Sequence, residues 1–216
     1  LLTLAAFGVG QPAFVEEEWS REWERLSAQI AALDSSVPPR EILEAQTLRR
    51  EALVLESDRD PLDIALRRTL ALADHLATLP HAPDLAAERS RLASLAQEAE
   101  RTPPSDPAAR RTLFLEVRAV QRRIAFSNPL LDFSQLVFLT RHRARYPHMV
   151  DQYFGFHAQP GGGLHVLEEP FSDAPRVRDL LGGALEGGSF ISLDLDYDAQ
   201  TLAFAWTAAD PVVEVW

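Results

Sequence analysis

The stretch that decides the fold, residues 128–173, reads NPLLDFSQLVFLTRHRARYPHMVDQYFGFHAQPGGGLHVLEEPFSD. Apolar residues before it are spaced as in helices, and those after it are spaced as in strands. The stretch also holds four of the six histidines, a triple-glycine turn and many aromatic side chains. We therefore expect the fold to change here, and we expect any site of this chain to lie here.

Residues 16–126, upstream of this stretch, show the apolar periodicity of five helices. The first carries one apolar stripe, formed by Trp19, Trp23, Leu26, Ile30 and Leu33. The others are expected from about residue 40 to 57, after Asp60-Pro61, from about residue 84 to 101, and after Asp106-Pro107. Short loops between these helices predict an antiparallel helical bundle, with the stripes in its core.

Residues 127–216 lack helical periodicity and predict a β-rich segment. Short apolar runs at residues 136–139 and 164–167 predict two buried strands, and a brief helix is expected at residues 174–181. Together with the helices upstream, this makes the expected fold class α+β.

The downstream end of the chain predicts one β-hairpin. Residues 189–194 and 201–206 alternate apolar and polar side chains on either side of the turn-like YDAQ at residues 197–200. The form of this hairpin resembles the inner strands of a β-propeller blade. One blade cannot bury its faces alone, because propellers need several blades. The final VVEVW, residues 212–216, is typical of a strand cut short, so we expect an incomplete propeller and a fragment of a larger protein.

The N-terminal LLTLAAFGVGQPAF is apolar, rich in small residues and too short to span a membrane. It is typical of the apolar core and cleavage region of a secretory signal. We therefore expect residues 1–15 to be a truncated signal peptide, with a periplasmic or secreted location and no membrane insertion after its removal. The alternative is a frayed apolar N-terminus of a cytosolic protein.

Composition argues against several classes of function. The net charge of -11 and the pI near 5.0 argue against binding to nucleic acid or to an anionic membrane surface. The absence of cysteine excludes disulfides, thiolate metal sites, a cysteine nucleophile and haem attachment through CxxCH within these residues. The partner, whether a protein or a small molecule, is not identified by composition.

Four histidines lie close together at His142, His148, His157 and His165. Imidazole and carboxylate groups are ligands for zinc, iron or copper. We take His148, Asp151 and His157 as candidate metal ligands, because His148 and Asp151 stand three residues apart and can face one centre. The spacing fits no standard helical metal motif, and the alternative is a packed loop of hydrogen-bonded histidines.

Two further patterns favour structural roles. The triple glycine at residues 161–163 could cradle an anion with its amides, but a tight turn before a strand explains it better. Asp194, Asp196 and Asp198 alternate as in a calcium loop, yet the glycine and the distal glutamate of such a loop are missing. The alternation favours a solvated strand face.

Six strings of the chain also resemble a known family: NPLLDF, HMVDQYFGF, PGGGLHVLE, PFSD, VRDLL and GGSFISLDLDYDAQTLAFAW. Over roughly residues 110–207 they resemble the start of the propeller in large secreted proteins of planctomycete-type bacteria. These proteins are related to the alpha subunit of hydrazine synthase, through its propeller-bearing middle domain. The resemblance implies a propeller scaffold and a periplasmic or secreted location, sometimes with c-type haem domains.

Two departures limit what this resemblance implies. A cysteine often follows the His-Met pair in the family, whereas Val150 stands here, and no haem-attachment motif occurs. We therefore expect a non-catalytic scaffold or binding portion of a larger secreted multidomain β-propeller protein, with no cofactor in this chain. The alternatives are part of a hydrazine-synthase-alpha-like redox enzyme, with c-type haem elsewhere in the full-length protein, and a cytosolic interaction module.

Overall fold

The computed structural model describes residues 13–33, 39–172 and 174–208. The described residues form six α-helices, one 3₁₀ turn and two small antiparallel sheets, which confirms the predicted α+β class. The chain divides into two compact units, Leu1–Asp132 and Phe133–Trp216. We call them the helical unit and the β-rich unit.

Five helices build the helical unit. They are α1 (Ala13–Ala31), α2 (Arg40–Gln46), α3 (Pro61–Leu76), α4 (Ala86–Arg101) and α5 (Pro107–Phe126), with a 3₁₀ turn at Arg50–Ala52. Helix α5 is central, because α1, α3 and α4 all pack against it. Its buried residues, among them Phe114 and Val117, join a core that includes Trp19 and Trp23 of α1. The edge of the Trp23 ring meets the Phe114 ring at a centroid distance of 5.3 Å.

The starts of α3 and α5 agree with the predicted start signals. The Asp60 carboxylate accepts a hydrogen bond from the backbone N–H of Leu62, and the Asp106 carboxylate accepts one from that of Ala109. Each aspartate is followed by a proline in the first turn, where the missing N–H costs nothing. These two local signals therefore fix where α3 and α5 begin.

The second helix is shorter than predicted. It ends at Gln46 rather than near residue 57, because Thr47 turns to an extended conformation. Two apolar residues of the predicted helix are exposed, Ile42 at 45% and Leu48 at 102%. The apolar spacing explains the error, since the gap between Ile42 and Leu48 skips a turn and leaves no continuous face to pack.

Two predicted segments fall at the ends of the chain. The predicted signal peptide, residues 1–15, overlaps residues 1–12, which lie outside the described residues; residues 13–15 belong to α1. The predicted final strand, residues 212–216, also lies outside the described residues. Among the helices that the structure describes, none combines the length and the apolar character needed to cross a bilayer.

The β-rich unit contains two sheets and one short helix. Its elements are β1 (Gln135–Thr140), α6 (Met149–Tyr153), β2 (Gly163–Glu168), β3 (Arg176–Asp179), β4 (Gly188–Leu195) and β5 (Leu202–Ala208). The first sheet has the order β1-β2-β3, and the second is the antiparallel hairpin β4-β5. Strands β1 and β2 and the hairpin lie where the sequence predicted them.

The brief helix predicted at residues 174–181 is wrong, because this segment contains strand β3. Strand β3 pairs antiparallel with β2, and Arg176 lies opposite Glu168. The Glu168 carboxylate contacts two arginines of β3, with the Arg178 Nε at 3.0 Å and the Arg176 Nη2 at 3.6 Å. The segment is too short to form a stable helix alone, whereas pairing with β2 and these ion pairs stabilise it as a strand.

Few side chains of the β-rich unit are buried. Among its described residues, the buried apolar side chains are Leu164, Val166 and Phe190. A larger set of apolar and aromatic side chains is exposed: Phe133, Leu136, Tyr146, Met149, Tyr153, Phe154, Phe156, Val177, Leu180, Leu195 and Tyr197. The described part of this unit therefore has a small core relative to its apolar surface.

Arg110 of α5 is fully buried and bonds to four other residues of the helical unit. Its Nε and Nη2 donate to the Asp60 carboxylate, and Nη2 also donates to Asp63 Oδ1 at 2.8 Å. Its Nη1 donates to the carbonyls of Ala99 at 2.9 Å and Thr102 at 2.8 Å. These carbonyls lie at the C-terminal end of α4, where a helix has acceptors without intrahelical partners. One guanidinium thus joins the start of α3, the end of α4 and α5.

The Asp63 carboxylate is held in its charged form by this network. Burial alone would raise its pKa, but hydrogen bonds from the Arg59 side chain and backbone, with the charges of Arg59 and Arg110, lower the pKa below its usual value. A carboxylate with a lowered pKa stabilises the fold at pH values above its unfolded pKa of about 3.9. That stabilisation is lost as the pH falls through the folded pKa.

Replacing Arg110 with Met should lower the free energy of unfolding by about 3–5 kcal/mol. Asp60 loses its counter-charge, Asp63 keeps only that of Arg59, and the carbonyls of Ala99 and Thr102 lose their donor. Urea denaturation of the full chain measures this change. The matched control is Arg111→Met, since the Arg111–Glu24 pair is exposed and should contribute less than about 1 kcal/mol. Similar small losses in both variants would contradict the role given to Arg110.

Acidification should remove the contribution of Asp63. The difference in unfolding free energy between the wild type and Asp63→Asn should be largest near neutral pH and should narrow as the pH falls from about 5 through the lowered folded pKa. The carboxylate of the unfolded chain is protonated first, and that of the folded chain is protonated at lower pH. Urea denaturation at a series of pH values gives this difference directly. A difference that stays constant over this range would show that the charge of Asp63 is not what stabilises the fold.

Candidate functional site

The candidate ligands lie on the histidine loop, which we define as residues 141–162 between β1 and β2. The loop is ordered by hydrogen bonds that cross it. The Arg141 Nη1 donates to the carbonyl of Gln152 at 2.9 Å, and the Gln159 Nε2 donates to the carbonyl of Arg143 at 2.8 Å. The start of the loop is therefore tied both to its middle and to its end, which limits how far its side chains can move relative to each other.

The triple glycine ends the loop as a tight turn. Gly161 and Gly162 have φ values of +124° and +89°, which side-chain-bearing residues rarely adopt. A Cβ on Gly162 would lie 1.9 Å from the carbonyl oxygen of Thr140, so glycine is required there. The Gly161 N–H donates to the carbonyl of Gly188 at 2.9 Å and is not free to bind an anion. The geometry supports the turn interpretation.

All three predicted ligands meet at the carboxylate of Asp151. Asp151 lies in α6 and is only 7% exposed. The Nδ1 of His157 is 2.6 Å from Asp151 Oδ1, and the Nδ1 of His148 is 3.9 Å from Asp151 Oδ2. The buried carboxylate thus has one imidazole in direct hydrogen-bond contact and a second within ion-pair distance.

The hydrogen bonds define which ring nitrogens are available. The Nδ1–H of His157 donates to Asp151, so the Nε2 of a neutral His157 carries a lone pair on a ring that is more than half exposed. The Nδ1 of His148 accepts from the backbone N–H of Val150 at 3.2 Å and caps α6. This cap requires a neutral His148, because a protonated ring offers only donors.

The arrangement makes Asp151 an orienting group for His157. A carboxylate that holds Nδ1–H leaves Nε2 aimed away from it, as in the carboxylate–histidine pairs that support metal ligands and general bases. Within the described ranges, no group of three or more His, Asp or Glu side chains is placed to hold a metal ion. Metal binding by His148, Asp151 and His157 stays a prediction, with His157 Nε2 as the most accessible ligand atom.

The other two histidines of the region lie apart from this centre. The His142 ring packs against the glycine turn, and the His165 Nε2 lies 3.1 Å from the Thr140 hydroxyl. A residue that the sequence did not single out, Tyr146, places its ring edge-on to His157 at a centroid distance of 5.1 Å. No spacing rule marks Tyr146, because the contact arises from the path of the loop.

Of the three alternating aspartates of the hairpin, Asp196 closes the turn. The Asp196 Oδ1 accepts hydrogen bonds from the backbone N–H groups of Gln200 at 2.7 Å and Thr201 at 3.0 Å. The bond from Thr201, with the bond from Gln200, lowers the pKa of Asp196. Asp194 and Asp198 are exposed, so the structure favours the solvated face over a calcium loop.

Comparisons with known proteins identify no relative of this chain. No family model, no curated protein and no solved structure matches it. The resemblance to the hydrazine synthase alpha subunit therefore stays an expectation from the sequence strings. The chemistry of the site rests on its geometry alone.

Metal content is the direct test of the candidate ligands. If His157 and His148 bind a transition metal, full-length protein purified without an affinity tag should hold zinc, copper or iron near one equivalent. His157→Ala and His148→Ala should lose it, and acid should release it, because a metal binds neutral imidazole. Elemental analysis by mass spectrometry measures the content, with His75→Ala on the helical unit as control. Equal, substoichiometric metal in all four proteins would leave the histidines as structural groups.

Proposed function

We propose that this chain is a non-catalytic scaffold or binding portion of a larger secreted multidomain protein, in which the β-rich unit packs against further sheets of a β-propeller. The observation that carries the proposal is a row of apolar side chains on the outer face of the first sheet. Leu136 of β1 lies opposite Leu167 of β2, and Leu167 lies opposite Val177 of β3. The row crosses all three strands.

The two faces of this sheet differ in burial. Leu164 and Val166 of β2 point to the inner face and are 1% and 7% exposed. Leu136 and Val177, on the opposite face, are 45% and 61% exposed. Sheets that face water usually alternate apolar and polar residues, with the polar residues outward. Apolar side chains on both faces favour a sheet whose outer face is covered by a partner.

The partner that suits this face is another β-sheet. Propeller blades are small antiparallel sheets that pack face to face through apolar side chains, and each blade needs its neighbours to bury both faces. The three-stranded sheet is one strand short of a four-stranded blade and carries apolar side chains on both faces. The antiparallel hairpin β4-β5 also carries exposed apolar side chains, Leu195 at 47% and Tyr197 at 105%.

Open strand edges support the same proposal. Within the described residues, β1 and β3 each pair on one side only, and β5 pairs only with β4. Unpaired edges present backbone donors and acceptors to any passing strand, so soluble proteins cover them or protect them with charge. Arg176 and Arg178 protect β3 in this way, whereas β1 carries the uncharged sequence QLVFLT.

The helical unit has the properties of a scaffold. Its apolar stripes are buried in a core of its own, and we interpret it as the antiparallel bundle expected from the sequence. The secreted location and the propeller scaffold rest on the sequence resemblance. The alternative, a hydrazine-synthase-alpha-like redox enzyme, requires c-type haem sites in other parts of the full-length protein. CxxCH motifs in that longer sequence would favour the alternative, and propeller repeats without them would favour binding.

Charged substitutions in the apolar row test this proposal. The full chain should bind the dye anilinonaphthalene sulfonate and should self-associate as its concentration rises, because the outer face is uncovered. The double variant Leu136→Lys, Val177→Lys should reduce both signals. The matched control is Leu48→Lys, an exposed leucine of the helical unit outside this face, and it should change neither.

Dye fluorescence and sedimentation velocity give the two readouts. A wild-type chain that stays monomeric and binds no dye would contradict the proposal. Equal dye binding and self-association in the wild type, the double variant and the control would also contradict it, because the apolar row would then have no part in association.

A further inference from the structure

A groove on the helical unit lies between the 3₁₀ turn Arg50–Ala52 and helix α3. It consists of two adjoining cavities of about 530 Å³ and about 500 Å³. Cavities of this size are typical of small-molecule sites. Both are lined by Arg49, Glu51, Ala71 and His75, so we treat them as one site and call it the Arg49 groove.

Arg49 and His75 together present hydrogen-bond donors in this groove. The Arg49 Nη2 donates to the Nδ1 of His75 at 3.1 Å. A guanidinium can only donate, so His75 is neutral, its Nδ1 carries the lone pair and its proton lies on Nε2. The Nε2–H of His75 and the other N–H groups of Arg49 have no hydrogen-bond partner among the described residues.

Arg68 adds a buried donor to the wall of the groove. Its Nη2 donates to the carbonyl of Ala52 at 2.5 Å, whereas its Nε is buried and has no hydrogen-bond partner. Burial also lowers the pKa of Arg68. A buried N–H group without an acceptor is costly and uncommon in native proteins. Arg68 also lines the second cavity, so its positive charge adds to that of Arg49 there.

The positive charges of the groove are not fully compensated. Two arginines near it have carboxylate partners, since Arg67 pairs with Asp58 at 2.5 Å and Arg89 pairs with Asp74 at 2.7 Å. In contrast, no carboxylate of the described residues lies within ion-pair distance of Arg49 or Arg68. This is notable in a chain with a net charge of -11, where carboxylates outnumber arginines.

Glu51 supplies the opposing charge at the rim. Its side chain is exposed and lines both cavities, and it contributes one negative charge against the two positive charges of Arg49 and Arg68. The groove therefore keeps an excess of one positive charge. That excess matches a monoanion better than a multiply charged phosphate.

The rest of the lining is apolar except for Thr78 and for Arg67 and Asp74, whose charges are paired with Asp58 and Arg89. The second cavity is bordered by Ala52, Ala71 and Leu72, and the first by Leu70, which is 42% exposed. Apolar walls with a few placed donors are the usual composition of a small-molecule site. A ligand that fits this groove has an anionic end and an apolar body.

We propose that the Arg49 groove binds a small organic monocarboxylate, with its carboxylate on Arg49 and its apolar body along Ala71 and Leu72. The planar guanidinium forms two parallel hydrogen bonds with a carboxylate, which provides both charge and orientation. The charge of Arg68, which lines the second cavity, adds to the attraction for an anion. The site lies on the helical unit and is independent of the docking role proposed for the β-rich unit.

Octanoate is the probe for this site, because it joins one carboxylate to an apolar chain. Titration of octanoate into the full chain, followed by isothermal calorimetry, should show saturable binding. Arg49→Gln should weaken octanoate binding by about tenfold or more, because it removes a charge-assisted pair. The matched control is Arg50→Gln, the neighbouring exposed arginine that does not line the groove. It should bind octanoate as the wild type does.

Two further ligands test the chemistry. Octan-1-ol has the same chain without the carboxylate, and inorganic phosphate has the charge without the chain, so both should bind at least about tenfold more weakly than octanoate. Arg49 and Arg50 are exposed, so both variants should keep their helices. Circular dichroism checks this. Octanoate binding that does not saturate, or that is equal in the wild type and Arg49→Gln, would overturn the proposal. Binding of octan-1-ol or phosphate as tight as that of octanoate would also overturn it.

Discussion

The helical unit depends on one buried guanidinium. Arg110 is fully buried where α3, α4 and α5 meet, and it contacts Asp60 and Asp63 at the start of α3 and two carbonyls at the end of α4. A charge without solvent is stable only when every donor has an acceptor. This requirement fixes how the ends of the helices meet, and the apolar core then fills the space between them. The Arg49 groove borders a later part of the same helix, α3.

In the β-rich unit, the buried apolar area is small relative to the entropy cost of ordering the chain. Its described residues bury Leu164, Val166 and Phe190, which is little apolar area to offset the entropy of ordering two sheets. The cross-braced histidine loop supplies part of the missing order through polar contacts, with the carboxylate of Asp151 at their centre. A small core beside an exposed apolar row is the arrangement expected of a unit that gains stability from a partner sheet. The proposed docking role follows from this imbalance between core and surface.

Local chemistry made much of the fold predictable. Asp60 and Asp106, each before a proline, mark helix starts because the signal is complete within a few residues. The predicted helix through Thr47 was wrong because that segment has no continuous apolar face. The predicted helix at residues 174–181 was wrong because this segment pairs as β3 with β2.

Sequence spacing predicted that His148 and Asp151 lie together, since they are three residues apart on one turn. The approach of His157 depends on its own positive φ of 53°, a backbone feature that no periodicity predicts for a histidine. The Arg49 groove joins a 3₁₀ turn to a helix face, and sequence spacing alone does not reveal such a junction.

The central claim is that the helical unit holds itself together while the β-rich unit lacks a core of comparable strength. Hydrogen–deuterium exchange of the full chain, followed by mass spectrometry, tests it most directly, because exchange reports the opening free energy of each element. We predict that the amides of α3 and α5 exchange slowest and that those of β1, β3 and the hairpin β4-β5 exchange much faster. Equally slow exchange in the strands and in α5 would contradict the account, because the β-rich unit would then be stable without a partner.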